Sequence, residues 1–147
     1  INTTQKTETI NIQRVFNNGS GTRNPITGTP GDDLITSGRG AKTLTGGSGN
    51  DQFIFNSFLD AGSTITDFTP GSDKIVLTQL LNNYVPSGYN RSNTLTDGYV
   101  KLVQGSTANS TTLQIDPDGS GLLIARPFLQ LSNITLSQLN SPNNFVF

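Results

Sequence analysis

A nine-residue repeat at residues 28–54 constrains the fold more than any other feature of the sequence. Its three successive blocks read GTPGDDLIT, SGRGAKTLT and GGSGNDQFI. Position eight is apolar in each block (Ile35, Leu44 and Phe53), and position four is always glycine. A fixed short period with glycine-rich turns is typical of stacked repeats, because one block cannot bury an apolar face alone. We therefore predict that successive blocks stack into a flattened helical coil whose interior is formed by the position-eight side chains.

The third block also has the composition of a cation-binding turn. It fits the pattern G-G-x-G-x-D-x-(apolar)-x at every defined position. Its glycines allow positive φ angles that direct backbone carbonyls toward one point, and Asp51 adds a carboxylate. Ligand sets made only of oxygen favour hard cations, and many ligands on a flexible turn favour calcium over magnesium.

Stacking of the blocks predicts where this calcium ion lies. In a coil with two blocks per turn, the first block stacks on the third, so Asp33 and Asp51 should face each other across a shared ion. Carbonyl groups of neighbouring turn residues, within 28–31 and 46–49, would complete the ligand shell. The expected contributors are Gly28, Thr29 and Gly31 from the first block and Gly46, Ser48 and Gly49 from the third.

Composition excludes several classes of function. The chain has 147 residues, enough for one domain, and it contains no His, Cys, Met or Trp. Disulfides, thiolate or imidazole metal sites and His- or Cys-based catalysis are therefore ruled out. A formal net charge of -1 with 13% charged residues does not favour nucleic acid or an anionic membrane. We expect no enzymatic activity, and no apolar run approaches the ~20 residues needed for membrane insertion.

The rest of the chain indicates an all-β fold with little helix. We predict a β-roll over 28–81 and a C-terminal β cap over 82–147, preceded by one strand (Glu8–Phe16) and a linker that ends at residue 27. Because the first residue is Ile1, we expect a processed product or part of a longer chain. Residues 82–98 have the composition of a loop, and Thr135 should cap a helical turn. The expected strands are Thr64–Asp67, Lys74–Leu77, Tyr99–Val103, Thr111–Ile115 and Leu122–Leu131.

These features together resemble a known family. The repeats, followed by Thr64–Ile75 (TITDFTPGSDKI), resemble the calcium-binding β-roll of RTX (repeats-in-toxin) proteins and the serralysin-type C-terminal region. Residues 112–119 and the terminal Asn144–Phe147 are similar to the C-terminal target domains of type I secretion substrates. The resemblance covers residues 28–147. It implies a secreted or cell-surface bacterial protein that binds Ca²⁺ and has a type I secretion transporter as its partner.

The second block departs from the family pattern. Lys42 occupies the position of the ligand Asp, and Asp60 follows eighteen residues later, one full coil away. In the resembled family, the loop before the D-F dipeptide supplies carboxylates to this edge, which implicates Asp60 and Asp67. This edge of the coil therefore has two candidate states. In the state that we expect, Asp60, Asp67 and the carbonyls of Gly38 and Gly40 hold a calcium ion. In the alternative state, a Lys42–Asp60 ion pair replaces the ion.

Two functions from different classes agree with this sequence. The first is a calcium-binding C-terminal module that folds after type I export and carries the secretion signal. The second is a structural or adhesive exoprotein subunit that self-associates in calcium. The turn at Asp116–Gly119 resembles the start of an EF-hand loop but has Pro127 where the final Glu belongs, so we interpret it as a structural turn.

Overall fold

The computed structural model describes the backbone of residues 13–17 together with residues 24–85, 94–119 and 121–147. Short strands dominate these ranges. They are β1 (Gln13–Asn17), β2 (Ile26–Thr27), β3 (Asp33–Thr36), β4 (Thr43–Thr45), β5 (Gln52–Ile54), β6 (Ser63–Ile65), β7 (Lys74–Val76), β8 (Val100–Gln104), β9 (Ser110–Ile115), β10 (Arg126–Ser132) and β11 (Phe145–Val146). The helices are α1 (Thr78–Tyr84), α2 (Leu136–Leu139) and the 3₁₀ turns Phe58–Asp60 and Pro142–Asn144. No helix within these ranges has the length and apolar character to cross a bilayer.

The strands form two sheets. The first sheet has the order β1-β3-β5-β7-β11 and is parallel throughout, and the second has the order β2-β4-β6-β10-β9-β8. From β2 to β7, consecutive strands alternate between the sheets, which is the path of a β-roll. β10 extends the second sheet by parallel pairing with β6, and β9 and β8 follow in antiparallel pairing. The predicted all-β fold is confirmed.

The interior of the roll consists of the apolar side chains that the repeat predicts. Ile35, Leu44 and Phe53 are fully buried. Within the first sheet Ile35 pairs with Phe53, which pairs with Ile75, so each strand places one apolar residue over the next. Ile35, Leu44 and Phe53 are the part of this core that the nine-residue period predicts.

The roll begins before the first repeat block. β1 pairs with β3 and β2 pairs with β4, so both strands belong to the two sheets of the roll. β1 overlaps the predicted strand Glu8–Phe16, whose residues 8–12 lie outside the described ranges. Ile26 is buried opposite Leu44, where the sequence suggested only a linker.

The C-terminal half differs from the sequence prediction at two places. Helix α1 covers the start of the predicted loop 82–98, because Leu80 and Leu81 lie on one helical face and are buried. The predicted strand Leu122–Leu131 is paired only from Arg126 onward. The prediction for Thr135 is confirmed, since its hydroxyl accepts a hydrogen bond from the Gln138 N–H at the start of α2.

Candidate metal centre

The roll has two edges with different chemistry. Three turns form the first edge: residues 28–32, 46–51 and 66–73, which connect the second sheet to the first. Two turns form the second edge: residues 37–42 and 55–62, which connect the first sheet to the second. At each edge, turn residues that are distant in sequence therefore lie close together.

Three buried aspartates form a ladder along the first edge. Asp33, Asp51 and Asp73 stand at the starts of β3, β5 and β7, and all three are buried. The N–H of Asp33 donates to Oδ1 of Asp51 at 3.0 Å, and the N–H of Asp51 donates to Oδ1 of Asp73 at 3.0 Å. The aspartate ladder thus brings Asp33 and Asp51 together as predicted, and it adds Asp73, which sequence reasoning missed.

The second carboxylate oxygens of the ladder are not equivalent. Oδ2 of Asp33 accepts a hydrogen bond from the Thr29 N–H at 2.5 Å, and Oδ2 of Asp73 accepts one from the Thr69 N–H at 2.8 Å. Oδ2 of Asp51 is buried and accepts no hydrogen bond from any described residue. An unpaired buried carboxylate oxygen is costly, so this atom calls for a cationic partner.

Backbone carbonyls surround the same carboxylates. A Cβ at Gly28 would lie 2.3 Å from the Gly46 carbonyl oxygen and 2.4 Å from Oδ2 of Asp33, and a Cβ at Gly46 would lie 2.3 Å from Oδ2 of Asp51. Only glycine fits at these two positions, because any side chain would collide with the oxygens. A Cβ at Gly47 would lie 2.5 Å from the Thr29 carbonyl oxygen, so the facing turns are lined with oxygen atoms.

The electrostatics of the edge favour a bound cation. Burial raises the pKa of Asp51 to about 6, against the opposing hydrogen bond from the Asp33 N–H, and the charges of Asp73 and Asp33 raise it further. Burial likewise raises the pKa of Asp73. A divalent cation next to Asp51 would offset the repulsion and satisfy Oδ2 at once.

The donor set fits calcium. Within the described ranges, no three His, Cys, Asp or Glu side chains converge on one point, so backbone carbonyls would have to complete a ligand shell. Asp33 and Asp51 would hold the ion with carbonyls of turns 28–31 and 46–49. Ser48 is exposed, so its predicted contribution to the shell is its backbone carbonyl. Asp32 instead fixes the stacked turns, accepting a hydrogen bond from the Asn50 N–H at 2.7 Å.

The second edge contradicts the predicted arrangement of Asp60 and Asp67. Asp60 precedes β6 and Asp67 follows it, so the two carboxylates lie on opposite edges and cannot share an ion. The 3₁₀ turn Phe58–Asp60 adds three residues, and Thr43 therefore pairs with Thr64, 21 residues later. Ser63, and not Asp60, stands opposite Lys42, accepting a hydrogen bond from the Lys42 N–H at 3.2 Å.

Lys42 and Asp60 have separate partners. The buried Lys42 ammonium donates to the Arg39 carbonyl at 2.6 Å, while Oδ2 of Asp60 accepts from the N–H groups of Asn56 and Ser57. The alternative state, a Lys42–Asp60 ion pair, is therefore absent from the described residues, where the one ion pair joins Lys101 to Asp116. Gly38 and Gly40 have positive φ angles in this turn, whose Arg39 carbonyl already has a cationic partner in Lys42.

We expect Lys42→Met to destabilise the protein equally with and without calcium, by about 1–3 kcal/mol, because the Arg39 carbonyl loses its buried donor. Urea unfolding at matched ionic strength, in calcium and in chelator, measures the two effects, with trimethylamine oxide in every sample to populate the calcium-free fold. A markedly larger effect in calcium than in chelator would indicate that an ion, and not the ammonium alone, occupies this turn.

The calcium-free protein should become more folded as the pH falls from 7 to 5. The pKa of Asp51 is about 6 in the fold, above its usual value, so the folded state binds protons more tightly than the unfolded state. Stability is therefore greatest at low pH and declines as the pH rises through 6, by on the order of 2–3 kcal/mol. Circular dichroism in buffer stripped of calcium by a chelating resin tests this. Asp51→Asn should reduce the dependence and leave the part that comes from Asp73, whose pKa burial also raises.

Comparison with known proteins agrees with this geometry. The family model described as Peptidase M10 serralysin C terminal matches residues 14–136. The solution structure of the AlgE6R2 subunit of the Azotobacter vinelandii mannuronan C5-epimerase is 26% identical, with a TM-score of 0.51, and the match covers 78% of this chain and 70% of that one.

A second subunit of the same Azotobacter vinelandii enzyme shares the fold. The AlgE6R3 solution structure is 23% identical, with a TM-score of 0.58, over 92% of this chain and 84% of that one. None of the curated proteins matches. The family model matches most of the chain, and the alternating parallel strands and oxygen-lined first edge agree with that match. The chain is therefore an RTX-type β-roll and belongs to the serralysin C-terminal family.

Proposed function

We propose that this chain is a non-catalytic, calcium-binding extracellular module that folds when it meets calcium after export. The observation that carries the proposal is Oδ2 of Asp51. This buried carboxylate oxygen lies among stacked, carbonyl-lined turns and accepts no hydrogen bond from the residues that the structure describes. Family membership supports it, since the serralysin C-terminal family is an RTX-type calcium-binding family of secreted bacterial proteins.

Calcium would act by stabilising the first edge only in the folded state. The unfolded chain cannot bring turns 28–32 and 46–51 together, so the free energy of ion binding adds to the free energy of folding. In low calcium, burial of Asp51 and its repulsion by Asp33 and Asp73 oppose the fold. The module would thus remain largely unfolded in the cytoplasm and fold outside the cell.

The position of the last strand fits a secretion signal that is read before folding. Phe145 is buried, and the carbonyl of Val146 accepts a hydrogen bond from the Leu77 N–H at 2.8 Å. Asn144 is also buried, and its Oδ1 accepts from the Gly71 N–H at 2.9 Å. A transporter could therefore bind the segment Asn144–Phe147 only while β11 is detached, as it is in the unfolded, calcium-free chain.

Calcium titration tests the calcium-binding function. Isothermal titration should give a Kd on the order of 10⁻⁴–10⁻³ M, the range of extracellular calcium modules. Chelation with EGTA should remove most of the β signal in circular dichroism, and calcium, but not equimolar magnesium, should restore it. Full β content in EGTA would contradict calcium-coupled folding.

An export assay tests the secretion function separately. A reporter fused ahead of this chain is expressed in a bacterial host with a type I transporter, and reporter is measured in the medium. Deleting Asn144–Phe147 should abolish export, whereas deleting the exposed Leu122–Ile124 should not. Export that persists without Asn144–Phe147 would exclude this segment as the secretion signal and would leave the proposed calcium binding unaffected.

A second candidate function, a self-associating structural subunit, is favoured by one surface feature. Leu122, Leu123 and Ile124 are 100%, 58% and 84% exposed on the connection between β9 and β10. Contiguous exposed apolar residues often mark interaction sites. Sedimentation velocity with and without calcium tests this candidate: calcium-dependent oligomers that Leu123→Ser dissolves would support it, and a monomer in both conditions would exclude it.

A further inference from the structure

The three turns of the first edge differ in one hydrogen bond. In each of the two flanking turns, a backbone N–H donates to the carboxylate of the aspartate four residues later: Thr29 donates to Asp33, and Thr69 donates to Asp73. In the middle turn, the equivalent donor for Asp51 is the N–H of Gly47. That bond is not made, and Oδ2 of Asp51 stays open.

Asp67 diverts the donor that would close the middle turn. Its Oδ2 accepts the hydrogen bond from the Gly47 N–H at 2.8 Å, and its Oδ1 accepts one from the Gly46 N–H at 2.8 Å. Two charge-assisted bonds of normal length occupy both carboxylate oxygens. Because one N–H makes one strong hydrogen bond, the bond to Asp67 withholds Gly47 from Asp51.

We propose that Asp67 is a positioning residue that keeps the Asp51 carboxylate open for a cation, an inference that rests on the proposed calcium-binding function. Without Asp67, the Gly47 N–H would turn to Oδ2 of Asp51 and close the turn as in its two neighbours. Gly47 has φ +100 and can readily adopt another backbone conformation. The closed turn would satisfy the carboxylate internally and compete with calcium.

Asp67 also lies between the calcium-binding turn and the C-terminal part of the second sheet. Asp67 directly follows Thr66, whose hydroxyl bonds that of Thr45 at 2.8 Å. β6 pairs with β10, so Asp67 connects the strand that carries the C-terminal sheet to the calcium turn. Loss of Asp67 should therefore weaken calcium binding through geometry, and not through removal of a ligand.

Asp60 supplies a matched control. It also accepts hydrogen bonds from two successive backbone N–H groups, those of Asn56 and Ser57, but on the second edge. Asp60→Ala removes the same charge and the same kind of contact away from the aspartate ladder. A purely structural role for Asp67 would make the two substitutions equivalent.

The test compares Asp67→Ala, Asp67→Asn and Asp60→Ala by calcium titration and by urea unfolding in chelator, with trimethylamine oxide added to all unfolding samples to populate the fold. We expect Asp67→Ala to weaken calcium binding at least tenfold at unchanged stoichiometry, and Asp67→Asn to weaken it less. Asp60→Ala should lower calcium-free stability more than Asp67→Ala does, with calcium affinity changed less than twofold.

Two results would overturn the proposal: unchanged calcium affinity in Asp67→Ala, or loss of one bound ion, which would make Asp67 a ligand. A second readout does not depend on calcium. In chelator, with trimethylamine oxide added to populate the fold, the amide resonance of Gly47 should respond to Asp51→Asn in the Asp67→Ala background but not in the wild-type background. If the wild-type chain bound no calcium, the proposed function would fail, while this resonance would still decide the role of Asp67.

Discussion

Asp51→Asn is expected to make the calcium-free chain more folded and to abolish its response to calcium. The substitution removes a buried charge whose pKa is about 6, so at pH 7 it should stabilise the calcium-free fold by on the order of 2–3 kcal/mol. In the wild-type chain, calcium at a hundred times its Kd should stabilise by about 2.7 kcal/mol. In Asp51→Asn this increment should vanish.

Urea unfolding in chelator and in calcium, with trimethylamine oxide in every sample, measures both the stabilisation of the calcium-free fold and the stabilisation by calcium. Asp97→Asn is the matched control, because Asp97 is an exposed aspartate in the C-terminal cap and the same charge is removed. Asp97→Asn should keep the full calcium response. If Asp51→Asn retained that response, Asp51 would not be a ligand.

Phe53→Ala should cause the largest loss of stability in the chain, about 3–5 kcal/mol with or without calcium. Phe53 is fully buried between Ile35 and Ile75, and its ring packs at 6.3 Å from that of Phe68. The truncated side chain would leave a cavity that the flanking β-strands cannot fill.

The loss should appear in chelator as well as in calcium, because burial of the ring contributes to the fold whether or not the ion is bound. Val103→Ala, on the exposed part of β8, should change the unfolding free energy by less than about 0.5 kcal/mol. A loss confined to calcium-containing samples would mean that Phe53 acts through the ion site and not through the core.

The repeat was sufficient to predict the roll where the period is unbroken. Block one stacks on block three with the expected spacing of 18 residues, as in the pairing of Ile35 with Phe53. The same spacing places Asp33 beside Asp51. The sequence-derived core and the first-edge pair therefore follow directly from the period.

Beyond block three, insertions in the turns break the period. Thr43 pairs with Thr64 at a spacing of 21, and Gln52 pairs with Lys74 at a spacing of 22. Counting by nine therefore assigned Asp60 to a position that Ser63 fills, and it missed Asp73. Turn length is decided by local contacts such as the Ser57 cap of the 3₁₀ turn, which a repeat period does not encode.

A different sequence signal could have found Asp73. Each ladder aspartate lies two residues before a buried apolar side chain: Asp33 before Ile35, Asp51 before Phe53 and Asp73 before Ile75. This Asp-x-apolar unit depends on strand geometry, in which alternate side chains face the same side, and it survives insertions in the turns. The diversion of the Gly47 N–H by Asp67 has no comparable signal, because it depends on how two turns stack.

Calcium binding by Asp51 is measured most directly by the anomalous difference density of crystals grown in calcium. We expect a calcium peak between turns 28–33 and 46–51, in contact with Oδ2 of Asp51, and no such peak in crystals of Asp51→Asn. Electron density that places Oδ2 of Asp51 in a hydrogen bond with the Gly47 N–H, with no calcium peak beside it, would show that Asp51 does not bind calcium.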